Sequence, residues 1–357
     1  MKRLFFILIT VQLSLITSVA QTALTTYQPG VTTEGAIYCL PKTGIRIIIQ
    51  IEKTTYQPGD LCGYAERYLR LNDVSPTPSV SYRITSIRQE PFAVADTTKC
   101  YAVKFDPKTS ACNVRLSDDG ILLAINATPH EQPASQVFQA AQRPLPVNPR
   151  QYMSEEILAA GSTAKMAELT AQEIYEIRES RNLLTRGQAD YMPKDGEQLR
   201  LMLAQLEQQD RSLTSLFAGT EVRDTTEQTI TLIPEGNLRQ HLLFRFSQKL
   251  GLVDNDDLAG VPYYINIENL NTVPQPEVTD TKKKQKQQAG IYVNIPGRLR
   301  SIIADAQNPI TANEFPAGQF GNVELLSGAL FNKRYTTHLT LHSLSGAIEK
   351  LDAEQPR

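Results

Sequence analysis

Gly35-Ala36-Ile37-Tyr38-Cys39-Leu40-Pro41-Lys42-Thr43-Gly44-Ile45-Arg46-Ile47-Ile48-Ile49-Gln50-Ile51 decides the fold class, and the rest of the chain is read outward from it. Ala36 to Leu40 and Ile45 to Ile51 are rich in β-branched residues and read as two strands. Ser81 to Ile87, Cys100 to Phe105, Cys112 to Leu116 and Ile121 to Asn126 continue the pattern. Asp118-Asp119-Gly120 marks a turn, and Asp60 to Leu71 a short helix with Leu61, Ala65, Tyr68 and Leu69 on one side. Before this block, residues 21–35 are Thr-rich and expected to be loose. Thr-Thr-Tyr-Gln-Pro-Gly occurs at 25–30 and again at 54–59. The flanks do not match, so two similar turns are expected, with Gly at positive φ.

Beyond Ala127 the character changes. Residues 128–151 carry Pro129, Pro133, Pro144, Pro146 and Pro149, a linker or surface loop. Met166 to Leu184 then places Ala167, Ala171, Ile174, Ile177 and Leu184 along one helical face. Asp195 to Phe217 does the same with Leu199, Met202, Leu203, Leu206, Leu213, Leu216 and Phe217, opening on Asp195 with Gln198 as a capping box. Glu207 and Arg211 make an i,i+4 pair. Two helices of about 30 Å joined by a short connection make an antiparallel hairpin, lying on a sheet or projecting as an arm. The remainder returns to β: Gln228 to Ile233, Leu242 to Phe246, Tyr263 to Ile267, Ile291 to Ile295 before a Pro296-Gly297 turn, and a terminal hairpin through Ser345-Gly346. The expected class is α+β, with β-rich ends and a helical hairpin between them. The expected segments are 1–20 signal peptide, 21–127 β-rich domain, 128–152 linker, 153–219 hairpin and 220–357 second β-rich domain.

The N-terminus sets the compartment. Lys2 and Arg3 precede an apolar run from Leu4 to Thr17 and then Ser18-Val19-Ala20, the pattern of a secretory signal cleaved between Ala20 and Gln21. No other stretch has the apolar length of a membrane-spanning helix, so the mature chain is expected to carry no transmembrane segment. An exported chain can form disulfides from Cys39, Cys62, Cys100 and Cys112, which allow three pairings. Asp106-Pro107-Lys108-Thr109 reads as a hairpin turn between the last two. Such a hairpin would hold Cys100 and Cys112 about 10 Å apart, so that pairing is disfavoured and the true one is left open.

Several stretches together resemble an exported family of Bacteroidota, domain of unknown function 4831. They are Gly35 to Thr43, Tyr64-Ala65-Glu66-Arg67-Tyr68-Leu69, Asp119 to Asn126, Tyr292-Val293-Asn294-Ile295-Pro296-Gly297, Gln319-Phe320-Gly321 and Ser345-Gly346. The resemblance spans nearly all of the mature chain and rests on strands, turns and buried aromatics. It brings no catalytic residue, and it implies the periplasm or outer-membrane surface of a Gram-negative bacterium. In that lineage Asp96-Thr97-Thr98 and Asp224-Thr225-Thr226 match an O-glycosylation pattern, with Thr97 and Thr225 as acceptors.

Composition narrows the chemistry further. The 41% hydrophobic content can build a core. The 36 basic and 38 acidic residues give −2, and −4 once two signal-peptide cations are subtracted. That balance lacks the cationic face that nucleic acid requires. No G-x-S-x-G elbow is present, and Ser327-Gly328 and Ser345-Gly346 read as turns. His338 and His342 would lie about 13 Å apart along a strand, too far to share a metal, and read as exposed surface residues. Asp254-Asn255-Asp256-Asp257 opens like a calcium loop, but Leu258, Ala259 and Ile265 occupy ligand and glycine positions. Lys282, Lys283, Lys284 and Lys286 read as a solvated loop. No catalytic residue, metal site or cofactor is assigned. The expected function is a non-enzymatic, exported scaffold or accessory protein that meets an envelope protein through the hairpin or its strand edges. A carbohydrate-binding accessory, with tyrosines clustered on a β face, is the alternative; a cryptic hydrolase is the second.

Overall fold

A computed structural model describes residues 23–27, 35–104, 113–130, 138–140, 147–193, 195–274, 290–306, 308–331 and 336–354. Ala20, Gln21, Cys112, the 106–109 turn and Lys282 to Lys286 lie outside the described residues. The strands are β1 (Ala23–Thr26), β2 (Ala36–Gln57), β3 (Ser79–Lys104), β4 (Val114–Leu116), β5 (Leu122–Ile125), β6 (Thr220–Leu232) and β7 (Leu238–Ser247). They continue as β8 (Gly251–Val253), β9 (Val261–Asn269), β10 (Gly290–Ala304), β11 (Pro309–Ser327), β12 (Thr336–Leu341) and β13 (Ile348–Glu354). The helices are α1 (Ala65–Leu69), α2 (Glu155–Leu158), α3 (Thr163–Arg186) and α4 (Gly196–Ala218). The protein is α+β, with the α3–α4 pair between β-rich ends.

The strands form three sheets, ordered β1-β3-β2-β6, β11-β10-β9-β7-β8 and β13-β12-β5-β4. The first and third of these each combine strands from before residue 127 with strands from residue 220 onward, while the five-stranded sheet lies wholly after 220. β6, beyond the helices, pairs along β2 from Ile45↔Leu232 to Gln57↔Thr220. β12, near the C-terminus, pairs with β5. The boundaries at 127 and 220 are therefore boundaries along the chain and do not separate two β bodies. The Thr-rich start is also tied down, since β1 pairs with the end of β3 from Ala23↔Lys104 to Thr26↔Tyr101. Among the described residues β3 and β4 do not pair with each other; β4 pairs with β5 in another sheet.

The opening stretch is one strand of 22 residues, where two were expected. Ile45, Ile47, Ile49 and Ile51 alternate onto β7, β9, β10 and β11, packing with Leu243, Phe244, Ile265, Leu299 and Phe315. Earlier in the same strand Tyr38 and Leu40 join a second core with Leu122, Ile125, Ile291, Val293, Leu339 and Leu341. β2 and β10 thus both run through two cores. Each ladder shifts register between them, at Cys39/Pro41 in β2–β3 and at Ile295/Gly297 in β10–β11. A bulge bends the strand and re-aims its side chains, which lets one strand serve two layers.

Pro58-Gly59 and Pro296-Gly297 act differently from the turns expected of them, and Pro29-Gly30 lies outside the described residues. Gly59 and Gly297 are not among the positive-φ glycines. A Cβ on Gly59 would stand 2.1 Å from the Leu216 carbonyl oxygen, and one on Gly297 2.2 Å from that of Phe320. Glycine is needed there for close approach of two backbones. Pro296-Gly297 does not end its strand; β10 continues to Ala304.

Candidate functional site

Where the two cores meet, the register shifts bring distant segments together. β6 stops at Leu232, which leaves one edge of β2 open beside Thr43. The bulge Gly318-Gln319-Phe320-Gly321 of β11 fills the gap. The Thr43 N–H donates to Gln319 Oε1 at 2.8 Å, and Gln319 Nε2 donates to the Thr43 carbonyl at 2.8 Å and that of Pro234 at 3.2 Å. The side-chain amide stands in for the missing strand. Thr43 Oγ1 donates to the Pro316 carbonyl at 2.8 Å. Asn294 Nδ2 donates to the carbonyls of Pro41 at 2.9 Å and Ser345 at 3.0 Å. Beside this junction Cys39 and Cys100 face each other across β2 and β3 and form a disulfide, the pairing that sequence alone left open. Cys62 is a free, half-buried thiol. The junction ties segments together and presents no exposed nucleophile: Ser345, whose Oγ lies 3.2 Å from His342 Nδ1, is 2% exposed.

The other expected residues divide between structural roles and open surface. Asp96 accepts from the N–H and hydroxyl of Thr98, at 3.0 and 2.6 Å, inside the β3 bulge, and leaves Thr97 exposed. Thr225 is half-buried on edge strand β6 opposite Glu52. His338 and His342 are half-buried, not exposed as expected, because the first hydrogen-bonds the Asn126 carbonyl and the second folds onto Ser345. Arg245 holds the 254–257 turn through the carbonyls of Asn255 at 2.8 Å and Gly260 at 3.0 Å. Among the described residues no group of three acidic, His or Cys side chains is placed to hold a metal.

Tyr38, Tyr101 and Tyr292 form an internal stack, with centroids 5.8 and 4.4 Å apart. Among the described residues the exposed tyrosines are Tyr175 and Tyr191, both in the helical region and neither on a β face. A cavity of about 370 Å³ gathers Asp119, His130, Ser117 and Ser343. Ser117 Oγ there accepts the Ile121 N–H at 3.1 Å, a turn contact.

The helical hairpin has two unlike halves. Ser162 Oγ caps α3 through the Lys165 N–H at 3.2 Å, and Asp195 caps α4 through the Glu197 N–H at 3.1 Å. Gly187, at φ 70°, ends α3 in the left-handed conformation, a Schellman closure. The inner half is a real core. Ala167, Ala171, Ile174 and Ile177 of α3 meet Leu213, Leu216 and Phe217 of α4, with Leu61, Ala65 and Leu69 beneath them. The hairpin therefore sits on α1 at the far end of the β2–β3 ribbon. The end of the linker is docked there too, with Tyr152, and Met153 after it, against this core.

Asp210 marks the boundary between the halves. It is 9% exposed, takes Arg178 Nε at 3.1 Å on both oxygens, and accepts Thr214 Oγ1 at 3.0 Å. Beyond it α4 buries none of its apolar residues: Leu199, Met202, Leu203 and Leu206 are half-covered and Leu201 is 58% exposed. Leu183, Tyr191 and Met192 are exposed at the same end, while Leu184 of α3 is buried there. The ion pairs around them, Glu197–Arg200 and Glu207–Arg211, are local to α4. Helical periodicity located the stripe but not which part of it is covered. The one added signal was the length of the helices against the short α1.

An α+β body with three cores threaded on one long ribbon, a clasped junction and a half-covered helical arm defines the class of protein. A family model described as Domain of unknown function (DUF4831) matches residues 34–349, and the chain belongs to that family. No curated protein and no solved structure matches it.

Proposed function

We propose that the chain is an exported, non-enzymatic scaffold or accessory protein of a Gram-negative cell envelope, working through contacts made by the outer half of its helical hairpin. One observation carries the reading: below Asp210 α4 buries Leu213, Leu216 and Phe217, and above it leaves Leu199, Met202, Leu203 and Leu206 half-covered and Leu201 exposed. Exposed large apolar side chains grouped at one end of an element mark an interaction surface. Helix-in-groove or helix-on-helix docking is the mode such a stripe supports. The Cys39–Cys100 disulfide is in keeping with an oxidising compartment, as is the N-terminal pattern that would release a chain beginning at Gln21.

The test places a photo-crosslinking amino acid at Leu201, and separately at Thr229 on β6, in the native host. A discrete adduct at 201 and none at 229 is expected. Absence of any adduct at 201, with the protein exported and folded, would overturn the reading. Mass spectrometry of the same material reports the mature N-terminus and any glycan on Thr97.

A further inference from the structure

β13 is unlike the other sheet edges. β1, β4 and β8 are only four, three and three residues long. β11 opens on Pro309 and carries Pro316, which cannot donate to a further strand. β6 is long but studded with Glu221, Arg223, Asp224 and Glu227. β13 pairs with β12 on one side, and among the described residues no strand pairs with its outer side. All seven of its residues are exposed, on both faces, Ile348 by 40% and Leu351 by 38%. An edge strand that shows apolar side chains and leaves its outer backbone groups without a strand partner is a template for strand addition.

We infer that the outer edge of β13 pairs antiparallel with β13 of a second copy of this chain, about a two-fold axis at Leu351. The charge pattern selects the occupant. A two-fold axis normal to the sheet leaves every side chain on its own face, so facing residues must share a face, and only registers centred on a residue are allowed. Centring on Lys350 sets lysine against lysine, and centring on Asp352 sets aspartate against aspartate at the axis, beside two Lys350–Glu354 pairs. Centring on Ala353 sets Asp352 against Glu354 twice. Centring on Leu351 sets Lys350 against the partner's Asp352 twice and stacks leucine on leucine. Lys350 and Asp352 already share a face, as their 2.7 Å ion pair shows, and both remain accessible at 72% and 49%. Directly opposed unlike charges favour a strand pair, and like charges oppose it. The two C-terminal sheets would then join into one continuous sheet. The inference is independent of the hairpin contact proposed above.

Sedimentation equilibrium of the full mature chain tests it. The wild type is expected to sediment as a dimer, Lys350→Asp and Asp352→Lys each as monomers, and the double swap as a dimer again, since it restores both unlike pairs. Far-ultraviolet circular dichroism and melting temperature confirm that each variant is folded. A monomeric wild type, a dimer that survives either single swap, or a folded double swap that stays monomeric would each overturn the inference.

Discussion

The β junction and the outer half of the hairpin handle their surfaces in opposite ways. At the junction, Thr43, Asn294 and Gln319 reach segments more than 250 residues away in sequence, and glycines stand where any side chain would meet backbone. In the outer hairpin the ion pairs of α4 run three or four residues along the helix, with Gln208 donating to the Tyr152 hydroxyl, and the apolar residues of α4 lack full cover. One region fixes the relation between two cores. The other is a formed helix pair in which α4 leaves apolar side chains only half-covered, the feature on which the proposed contact rests. Sequence change should therefore act on stability at the first and on association at the second.

Gly321→Ala should have the largest effect. Its Cβ would fall 1.9 Å from the Ile295 carbonyl oxygen and 2.6 Å from the Gly297 nitrogen, both backbone atoms. A loss of more than about 4 kcal/mol, or failure to fold, is expected. Gly63→Ala, where a Cβ meets nothing within 4 Å, should stay within about 0.5 kcal/mol in urea unfolding. Gln319→Leu comes next. It leaves the Thr43 N–H without its acceptor and two carbonyls without their donor, at a cost of about 2–3 kcal/mol by the same measurement. A near-neutral result for both junction variants would mean that the junction does not carry the relation between the cores.

Tyr38 sharpens the same point through pH. It is wholly buried, its hydroxyl donates to the Tyr292 carbonyl at 3.3 Å, and it accepts the Tyr292 N–H at 2.8 Å. Burial pushes its phenol well above the ordinary range, against a smaller opposite pull from that N–H. The unfolded chain ionises near pH 10 while the folded one does not. Its contribution is therefore complete below about pH 10 and is lost as pH rises toward the raised folded value. Urea titrations across that window should show falling stability, and Tyr38→Phe should flatten the slope. Tyr101, also raised by burial, would leave a residual slope.

Much of this was legible in the sequence, for local reasons. The helices, the Asp195 cap and most strands follow from periodicity and end signals that act within a few residues. Strand continuity was not legible. The gaps expected between Leu40 and Ile45 and between Ile87 and Cys100, and the turn expected at Pro296-Gly297, all lie inside long strands, because pairing across the sheet overrides local propensity. The Cys39–Cys100 pairing depends on a register fixed by a bulge at Asp96 to Lys99, which spacing does not encode. The same bulge gives Asp96-Thr97-Thr98 a structural use, since Asp96 accepts from the N–H and hydroxyl of Thr98. The resemblance motifs were visible as separate strands and turns; that Pro41 to Thr43, Asn294, Gln319 and Ser345 converge required the fold.

The smallest expected effect on stability is the most informative about the hairpin. Leu201 is 58% exposed on the outward face of α4, while Leu213, twelve residues on, is fully buried. Truncating Leu213 to Ala removes methyl groups from a packed core and should cost about 2–5 kcal/mol. Leu201→Asp adds charge where water already reaches and removes little buried area, so its melting temperature should match the wild type within about 0.5 kcal/mol of stability. A large loss at Leu201 would mean that the outer half is closed in solution and that the exposed stripe is core. With the photo-crosslinking amino acid moved to position 191, a neutral Leu201→Asp that removes its adduct would separate folding from contact at one residue. The inner half then holds the arm in place, and the outer half is what the arm presents.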